Sequence, residues 1–203
     1  HSKSIGNSYY NSEFIKPGGN DRLVEDRIFD RNRTGWNTNM GVEYFISSKT
    51  SMTTSMFMND NSNQNIATNH LFSTAFNQNT IETQRKEIET ETDNTFELNW
   101  NLTHNFNDSD HTLTIDFQWE KSNDIENGQV FIEEITPSPT KLLGEKLLTD
   151  ESFKQQLFQI DYVNPFSENG QIEAGYRGVL KDRTIVYEVS DEQTSGEFVL
   201  NAN

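Results

Sequence analysis

Hydrophobic and polar positions alternate through the segment Thr95–Trp119, which divides into two arms joined by NDSDH. One parity of the two arms holds Phe96, Leu98, Trp100, Leu102, His104 and Phe106, then Leu113, Ile115, Phe117 and Trp119. Because successive side chains on a strand point to opposite faces, this pattern predicts a β-hairpin with one apolar and one polar face. Each arm runs to about ten residues, the length that a tilted strand needs to cross a bilayer.

The same alternation recurs in four other segments: Trp36–Ile46, Ser51–Asn59, Phe153–Val163 and Ile172–Leu180. The polar extension Asp182–Ser190 is expected to continue the last of these strands. The run Ile81–Thr92 is polar enough to be either a strand or a short helix, and we favour the strand. The final residues, EFVLNAN, resemble the start of another strand.

The connections differ in length. SSKT, NDSDH and NPFSENG predict short turns, and Pro17 with Gly18 and Gly19 marks another turn. Asp60–Thr80 and Ser122–Ser152 lack a regular period and are interpreted as long loops, the second with room for one helical turn at KLLGEKLL. Short turns at one end and long loops at the other are typical of transmembrane β-barrels.

Composition favours the same class. Only 32% of the 203 residues are hydrophobic, well below the average of about half for globular chains. A transmembrane barrel explains this deficit, since only one residue in two along each span must be apolar. We therefore predict an all-β fold, an antiparallel up-and-down meander of about seven to nine strands that forms part of such a barrel.

Aromatic residues agree with two interfacial girdles, where rings with a polar edge favour the headgroup level. One group lies beside the short turns: Tyr44, Phe45, Phe106, Tyr162 and Phe166. A second group is expected toward the other ends of the strands: Trp36, Phe57, Trp119 and Tyr176.

The stretch Leu157–Gly178, LFQIDYVNPFSENGQIEAGYRG, resembles a recurrent hairpin in the β-barrel domain of Bacteroidetes TonB-dependent outer-membrane receptors. The pattern is carried by Asp161, Tyr162, Pro165, Phe166, Glu173, Gly175, Tyr176, Arg177 and Gly178. Asn7–Glu13 and the hairpin described first are similar to other parts of the same barrel. The resemblance implies a location in the Gram-negative outer membrane, and partners in lipid, a plug domain, the TonB protein and an unknown solute. We interpret residues 1–203 as one partial barrel domain cut at both ends, with the plug and the remaining strands outside it.

No catalytic, cofactor or metal site is expected. The spacing of the four histidines is not that of metal ligands; they are His1, His70, His104 and His111. The sequence also contains no phosphate-binding loop and no motif of a catalytic nucleophile. Close-spaced Asp, Asn and Glu residues offer oxygen ligands for Ca²⁺, but solvated loop charge explains them better. A net charge of −16 disfavours nucleic acid as a partner. The sequence identifies no substrate-binding residue, and we expect no enzyme activity.

The polar parity of the predicted strands carries mostly negative charge, at Glu43, Glu97, Asp116, Asp161 and Glu173 with Arg177. Facing a lumen, this wall would favour neutral or cationic solutes. The expected role is therefore a wall segment of an outer-membrane receptor that takes part in solute binding and uptake. The alternative is a secreted or surface β-sandwich adhesin, with the apolar parities packed against each other in a dry core. With unpaired sheet edges, the segment is not expected to fold stably alone in water.

Overall fold

A computed structural model describes residues 1–106, 110–142, 144–167 and 170–201, and these residues form one antiparallel sheet. Its strands are β1 (Ser2–Phe14), β2 (Asp21–Ser47), β3 (Thr50–Thr74), β4 (Ile81–Asn105), β5 (Thr112–Thr136), β6 (Thr140–Lys141), β7 (Glu145–Ser167), β8 (Gly170–Glu192) and β9 (Phe198–Leu200). The strands lie in the order β1, β2, β3, β4, β5, β7, β8, β9, so neighbours in the sheet are almost always neighbours in sequence. The short β6 is outside this order and pairs only with β5. The predicted all-β antiparallel meander is confirmed.

The strands are far longer than the alternation of apolar residues indicates. β2 has 27 residues, and β3, β4 and β5 have 25 each. At about 3.3 Å per residue, such strands extend roughly 80 Å, about twice the thickness of a bilayer with its headgroups. The expectation of strands about ten residues long was therefore wrong, although alternation located six of them.

The two predicted long loops are mostly strand. β3 runs through the first of them to Thr74, and β5 and β7 occupy most of Ser122–Ser152. The connections at this end are therefore short, and the prediction that loops sort by length was wrong. Both faces of these segments carry polar residues, so a strand there produces no hydrophobic period.

The remaining local predictions have mixed outcomes. Ile81–Thr92 lies within β4, and Asp182–Ser190 continues β8, as expected. The described part of KLLGEKLL is extended rather than helical, and residue 143 lies outside the described residues. Residues 107–109 of the NDSDH turn, 168–169 of the NPFSENG turn and 202–203 also lie outside them. Among the described residues, no helix is long or apolar enough to span a membrane.

The turn predicted at Pro17–Gly19 is present. Gly18 and Gly19 have φ values of 104° and 146°, a backbone region that residues with a Cβ rarely occupy. Next to it, Asp21 accepts hydrogen bonds from the ammonium of Lys16 and, at 2.9 Å, from the backbone N–H of Phe76. Lys16 first, and then this N–H, hold the pKa of Asp21 below its ordinary value. The carboxylate thereby ties together two connections at the same end of the sheet.

The described residues form a single layer with almost no core. Ala67 and Val130 are the buried hydrophobic residues, and many large apolar side chains are exposed, among them Leu180 at 71%. The dry inter-sheet core that defines a β-sandwich is therefore not formed by this part of the chain, which argues against the adhesin alternative. Within the described ranges, residues 34–47 of β2 and 170–189 of β8 have a strand partner on one side only and so form sheet edges.

The two faces of the sheet differ in exposure. In the middle of β7, Gln155, Leu157 and Gln159 are half-buried, whereas Gln156 and Phe158 on the other parity are exposed. β3 and β4 show the same difference between residues 60 and 65 and between residues 89 and 94. Side chains crowd together on the inside of a curved sheet, so this contrast indicates that the sheet curves around the face that bears Gln155 and Gln159.

Candidate functional site

One face of the sheet carries a continuous band of apolar side chains across six neighbouring strands. Residues paired across strands share a face, so the register places these side chains side by side. We call this band the apolar belt; its members are Met40, Val42, Tyr44, Met52, Met56, Met58, Phe96, Leu98, Trp100, Leu102, Leu113, Ile115, Phe117, Trp119, Phe158, Ile160, Tyr162, Ala174, Tyr176 and Leu180. The hairpin Thr95–Trp119 supplies eight of them.

The belt has the height of a membrane span. Its rows extend from that of Phe96 to that of His104, which holds Leu113, Tyr162 and Ala174. These eight residue steps along β4 cover about 26 Å. A strand tilt of about 40° reduces this to roughly 20 Å, near the 25 Å apolar band of outer-membrane barrels. Above the belt, the next row on the same face reads Trp36, Asp60, Asn94, Asn123, Ser152 and Thr184. On β5, β7 and β8 the change begins one row earlier, at Lys121, Lys154 and Asp182, so the apolar surface ends within two rows.

Aromatic and imidazole rings gather at the end of the belt nearest the short turns. The Phe106 ring stacks on His111 at a centroid distance of 4.3 Å and meets the edge of His104 at 4.5 Å. Tyr162 completes the cluster, because its hydroxyl lies 2.8 Å from Nε2 of His111. Such amphipathic rings are typical of a membrane–water boundary. Of the predicted girdle, Phe106 and Tyr162 lie together here, whereas Phe45 pairs with Ser51 on the polar face and was misassigned.

The girdle predicted at the other end is only partly formed. Trp119 packs against Phe96 at a centroid distance of 5.4 Å, near the upper limit of the belt. Tyr176, however, pairs with Ile160, one row from the turn-end cluster, so its assignment to the upper girdle was wrong. Phe57 pairs with Glu97 on the opposite face of the sheet and is also misassigned.

The opposite face is polar along the height of the belt. Glu43 and Arg177 lie in one cross-strand row together with Asp116, which accepts a hydrogen bond of 2.6 Å from Asn101. Asp161 likewise accepts one of 2.6 Å from Gln159. Glu97 and Glu173 occupy other rows of this face, so all six predicted polar-wall residues lie on one side of the sheet.

Beyond the belt, the polar face is organised in three parallel columns that the sequence analysis missed. The first, on β2, contains Arg27, Arg31 and Arg33. The second, on β3, contains Asn61, Asn63, Asn65 and Asn69, and the third, on β4, contains Glu87, Glu89, Glu91 and Asp93. We call them the arginine, asparagine and acidic columns. The detectable sequence signal was the spacing of asparagine at every second residue from 59 to 65.

Carboxylates crowd together on the neighbouring strand. Burial, followed by repulsion from Glu91, Asp93 and Glu151, raises the pKa of Asp124. Burial also raises the pKa of Glu126, with added repulsion from Glu89 and Glu91. On the other side, Arg183 donates a 2.8 Å hydrogen bond to Glu151, and this carboxylate raises the pKa of the guanidinium. The carboxylates of β4 and β5 are therefore flanked by the arginine column of β2 on one side and by Arg183 of β8 on the other.

The geometry supplies no metal site in the described ranges, where no group of three or more His, Asp or Glu side chains is placed to hold an ion. Instead, some polar atoms find local partners. Glu192, which is 5% exposed, accepts hydrogen bonds from Lys141 and, at 3.0 Å, from the backbone N–H of Gly144. Lys141 is the largest cause of the lowered pKa of Glu192, and the N–H adds to it.

Residues 104–203, just under half of the chain, match the model of the outer membrane protein beta-barrel family. These residues are therefore similar to an outer membrane β-barrel domain. The matched range includes β5, β7 and β8, and with them the hairpin Leu157–Gly178 on which the resemblance was noted. The match supports a lipid environment for the apolar belt and an outer-membrane location.

The other comparisons add little to the barrel assignment. No curated protein matches the chain. Among solved structures, the crystal structure of the human-specific toxin intermedilysin is 6% identical, with 98% of this chain and 88% of that chain covered and a TM-score of 0.12. A similarity this weak supports no argument about fold or function.

Proposed function

We propose that this chain is a wall segment of a TonB-dependent receptor in the outer membrane of a Gram-negative bacterium of the Bacteroidetes, and that it takes part in binding and uptake of a solute. The apolar belt carries this proposal. It runs across six strands at the height of a membrane span, while the other face is mainly polar, with Phe57 and Leu157 among its few apolar members. The barrel family match over residues 104–203 supports the same conclusion.

The finer assignment to TonB-dependent receptors rests on the hairpin Leu157–Gly178. In this proposal a plug domain contacts the polar face, and the TonB protein supplies energy through parts of the receptor outside this segment. The role of the segment is non-catalytic: it forms the wall, contacts the solute and leaves energy coupling to the other parts.

Membrane fractionation of the full-length protein tests the location. The protein should sediment with the outer membrane, resist extraction by high salt and alkali, and dissolve only in detergent. Recovery in the soluble or secreted fraction would contradict the proposal. Deletion of the host TonB protein tests the energy coupling, because uptake of the solute should then stop while the amount of receptor in the membrane stays constant.

Charge on the polar wall gives a second test of transport. The variants Glu97→Lys and Asp116→Lys reverse two carboxylates on the polar face without altering the apolar belt. Uptake of cationic solutes should fall relative to that of neutral solutes of the same size. If uptake of every tested solute is unchanged, the polar face does not line the path of transport.

A further inference from the structure

We propose that the three columns beyond the belt form a binding surface for a zwitterionic solute, a short peptide with free ends, whose carboxylate meets the arginine column and whose ammonium meets the acidic column. This inference rests on the proposed function, because it names the class of solute that the wall binds. It begins with the accessibility of the columns. Residues from all three line an open groove of about 600 Å³, among them Arg27, Arg31, Arg33, Asn63, Glu89 and Glu91. A volume of this size suits a small-molecule ligand.

The arginines are available to an anion. Among the described residues, none of the three forms an ion pair within 4.0 Å. Arg31 and Arg33 are exposed, so no burial prevents a ligand from reaching them. The chain has only 16 Lys and Arg against 32 Asp and Glu. Three guanidinium groups left without carboxylate partners on one face of one strand are therefore notable in so acidic a chain.

The fold holds Arg31 in place. Its guanidinium lies over the ring of Phe29, 4.6 Å from the centroid, and its Nε donates a 3.3 Å hydrogen bond to Oδ1 of Asn65. The Phe29 ring in turn covers Gly6 of β1, where a Cβ would come within 2.4 Å of the ring. This stack of glycine, phenyl ring and guanidinium reduces the rotamer freedom that Arg31 must lose when it binds an anion.

The asparagine column separates the two charged columns and keeps them from neutralising each other. Arg33, Asn63 and Glu91 lie in one cross-strand row, with the arginine and the glutamate two strands apart, about 10 Å at the backbone. Asn63 donates a 2.9 Å hydrogen bond to Glu91. The arginine and acidic columns therefore lie on one surface, too far apart for most of their side chains to form ion pairs with each other.

The polar network of the three columns is incomplete. Oδ1 of Asn69, a residue that is 92% buried, has no hydrogen-bond partner among the described residues, and neither do Oδ1 of Asn63 and Nε of Arg27. Buried polar atoms are almost always paired, so these atoms indicate a surface that a polar ligand completes. Amide and guanidinium groups of this kind suit the N–H and C=O groups of a peptide.

Charge complementarity decides the class of ligand. A purely anionic solute would be repelled by the acidic column, and a purely cationic one by the arginines. A molecule with an ammonium and a carboxylate about 10 Å apart satisfies both columns. Three extended residues span about 10–11 Å, so a tripeptide with free ends has the matching length.

The test uses triglycine as the probe, with its N-acetyl, C-amide and doubly capped derivatives, titrated by calorimetry into the full-length protein in detergent. Free triglycine should bind at least about tenfold more tightly than the doubly capped peptide, since each cap removes one charge-assisted contact. Arg31→Gln combined with Arg33→Gln should abolish the preference for a free carboxylate. Glu91→Gln should abolish only the preference for a free ammonium.

A matched control is available on the same strand. Arg22 belongs to the opposite face of β2 and bonds Asn11 on β1, so Arg22→Gln makes the same chemical change away from the groove. This variant should leave all four affinities unchanged. Gly6→Ala should lower the affinity for free triglycine, because the added methyl group displaces Phe29 from beneath Arg31. The proposal is overturned if the wild-type protein binds free and capped peptides equally, or binds neither. Membrane fractionation tests the location separately, so the location can be right even when this binding proposal fails.

Discussion

A positive charge placed in the middle of the apolar belt tests whether that face meets lipid. Phe158 is the natural position, because it lies in the middle row of the belt, level with Trp100, and is 44% exposed. On β4, Trp100 is four residues from the row at each limit of the belt. In the variant Phe158→Arg, a guanidinium replaces the ring at the level of Trp100 and Phe117. No neighbouring side chain in that cross-strand row carries a compensating negative charge.

The expected magnitude follows from depth. Four residues at about 3.3 Å, with a tilt of about 40°, place Phe158 roughly 10 Å from either limit of the belt. An arginine at such a depth lowers the free energy of unfolding by about 2–4 kcal/mol. The same residue at the upper limit, in Met58→Arg, should cost only about 0–1 kcal/mol. Gln159→Arg, one residue along on the polar face, should cost no more than the border variant.

The assay is reversible unfolding of the full-length protein by guanidinium chloride in phospholipid vesicles, followed by tryptophan fluorescence. The result that supports a lipid-facing belt is a gradient: a large loss of stability at Phe158 and small losses at Met58 and Gln159. If the three variants cost the same, or if Phe158→Arg lies within about 0.5 kcal/mol of wild type, as substitutions on water-exposed surfaces do, the belt does not contact lipid.

Three further predictions concern depth and protonation. A lipid-borne quencher near the bilayer centre should quench Trp100, in the middle row of the belt, more than Trp36, one row beyond it, measured on variants that retain one tryptophan; equal quenching would contradict the assigned span. Because repulsion and burial raise the pKa of Glu126, its ionisation weakens the fold as pH rises, so Glu126→Gln should increase the free energy of unfolding by a few tenths of a kcal/mol at pH 7 and by nothing well below pH 4.5, measured by denaturant titration. Ionised Glu192 stabilises the fold, because its pKa is lowered: this stabilisation is present above pH 4.5 and is lost as the pH falls through the folded-state pKa. Glu192→Gln should therefore speed amide hydrogen exchange at Gly144 at pH 7. An unchanged rate would show that the carboxylate does not hold that N–H.

The sequence was sufficient to predict the strands where one face is apolar and the other is mainly polar. Between Thr95 and Trp119, apolar and polar residues alternate because the two faces of the sheet meet different surroundings. The same contrast located β2, the first part of β3, β7 and β8. Their parity was also assigned correctly, so that Glu43, Asp116 and Arg177 were placed on one face before the register was known.

The upper parts of the strands were missed because there the contrast vanishes. From Asn59 to Asn65, asparagine alternates with Asp60, Ser62 and Gln64, so both parities are polar. A method that looks for apolar periodicity finds nothing in such a segment and interprets it as a loop. The strand is specified instead by pairing with β2 and β4 on both sides, which is a tertiary effect.

The three columns lay outside sequence reasoning for a related reason. Arg33 and Glu91 are distant in the chain and become neighbours of Asn63 only through the registers of β2 with β3 and β3 with β4. A shift of one residue in either pairing would move one column to the other face. The charges were visible in the sequence, but the surface that they form depends on register alone.

The limit of the apolar belt is marked by a change in one parity, with no break in secondary structure. Along β4, the outward residues change from Asn94 to Phe96 where the belt begins, and the strand continues without interruption. The inward residues do not change, since Asp93, Thr95 and Glu97 are polar on both sides of that limit. On β4 this face is polar from the acidic column through the height of the belt, and so forms a continuous polar path. A solute bound at the columns would therefore pass into the span without crossing an apolar barrier, which links the proposed binding surface to uptake along the same wall.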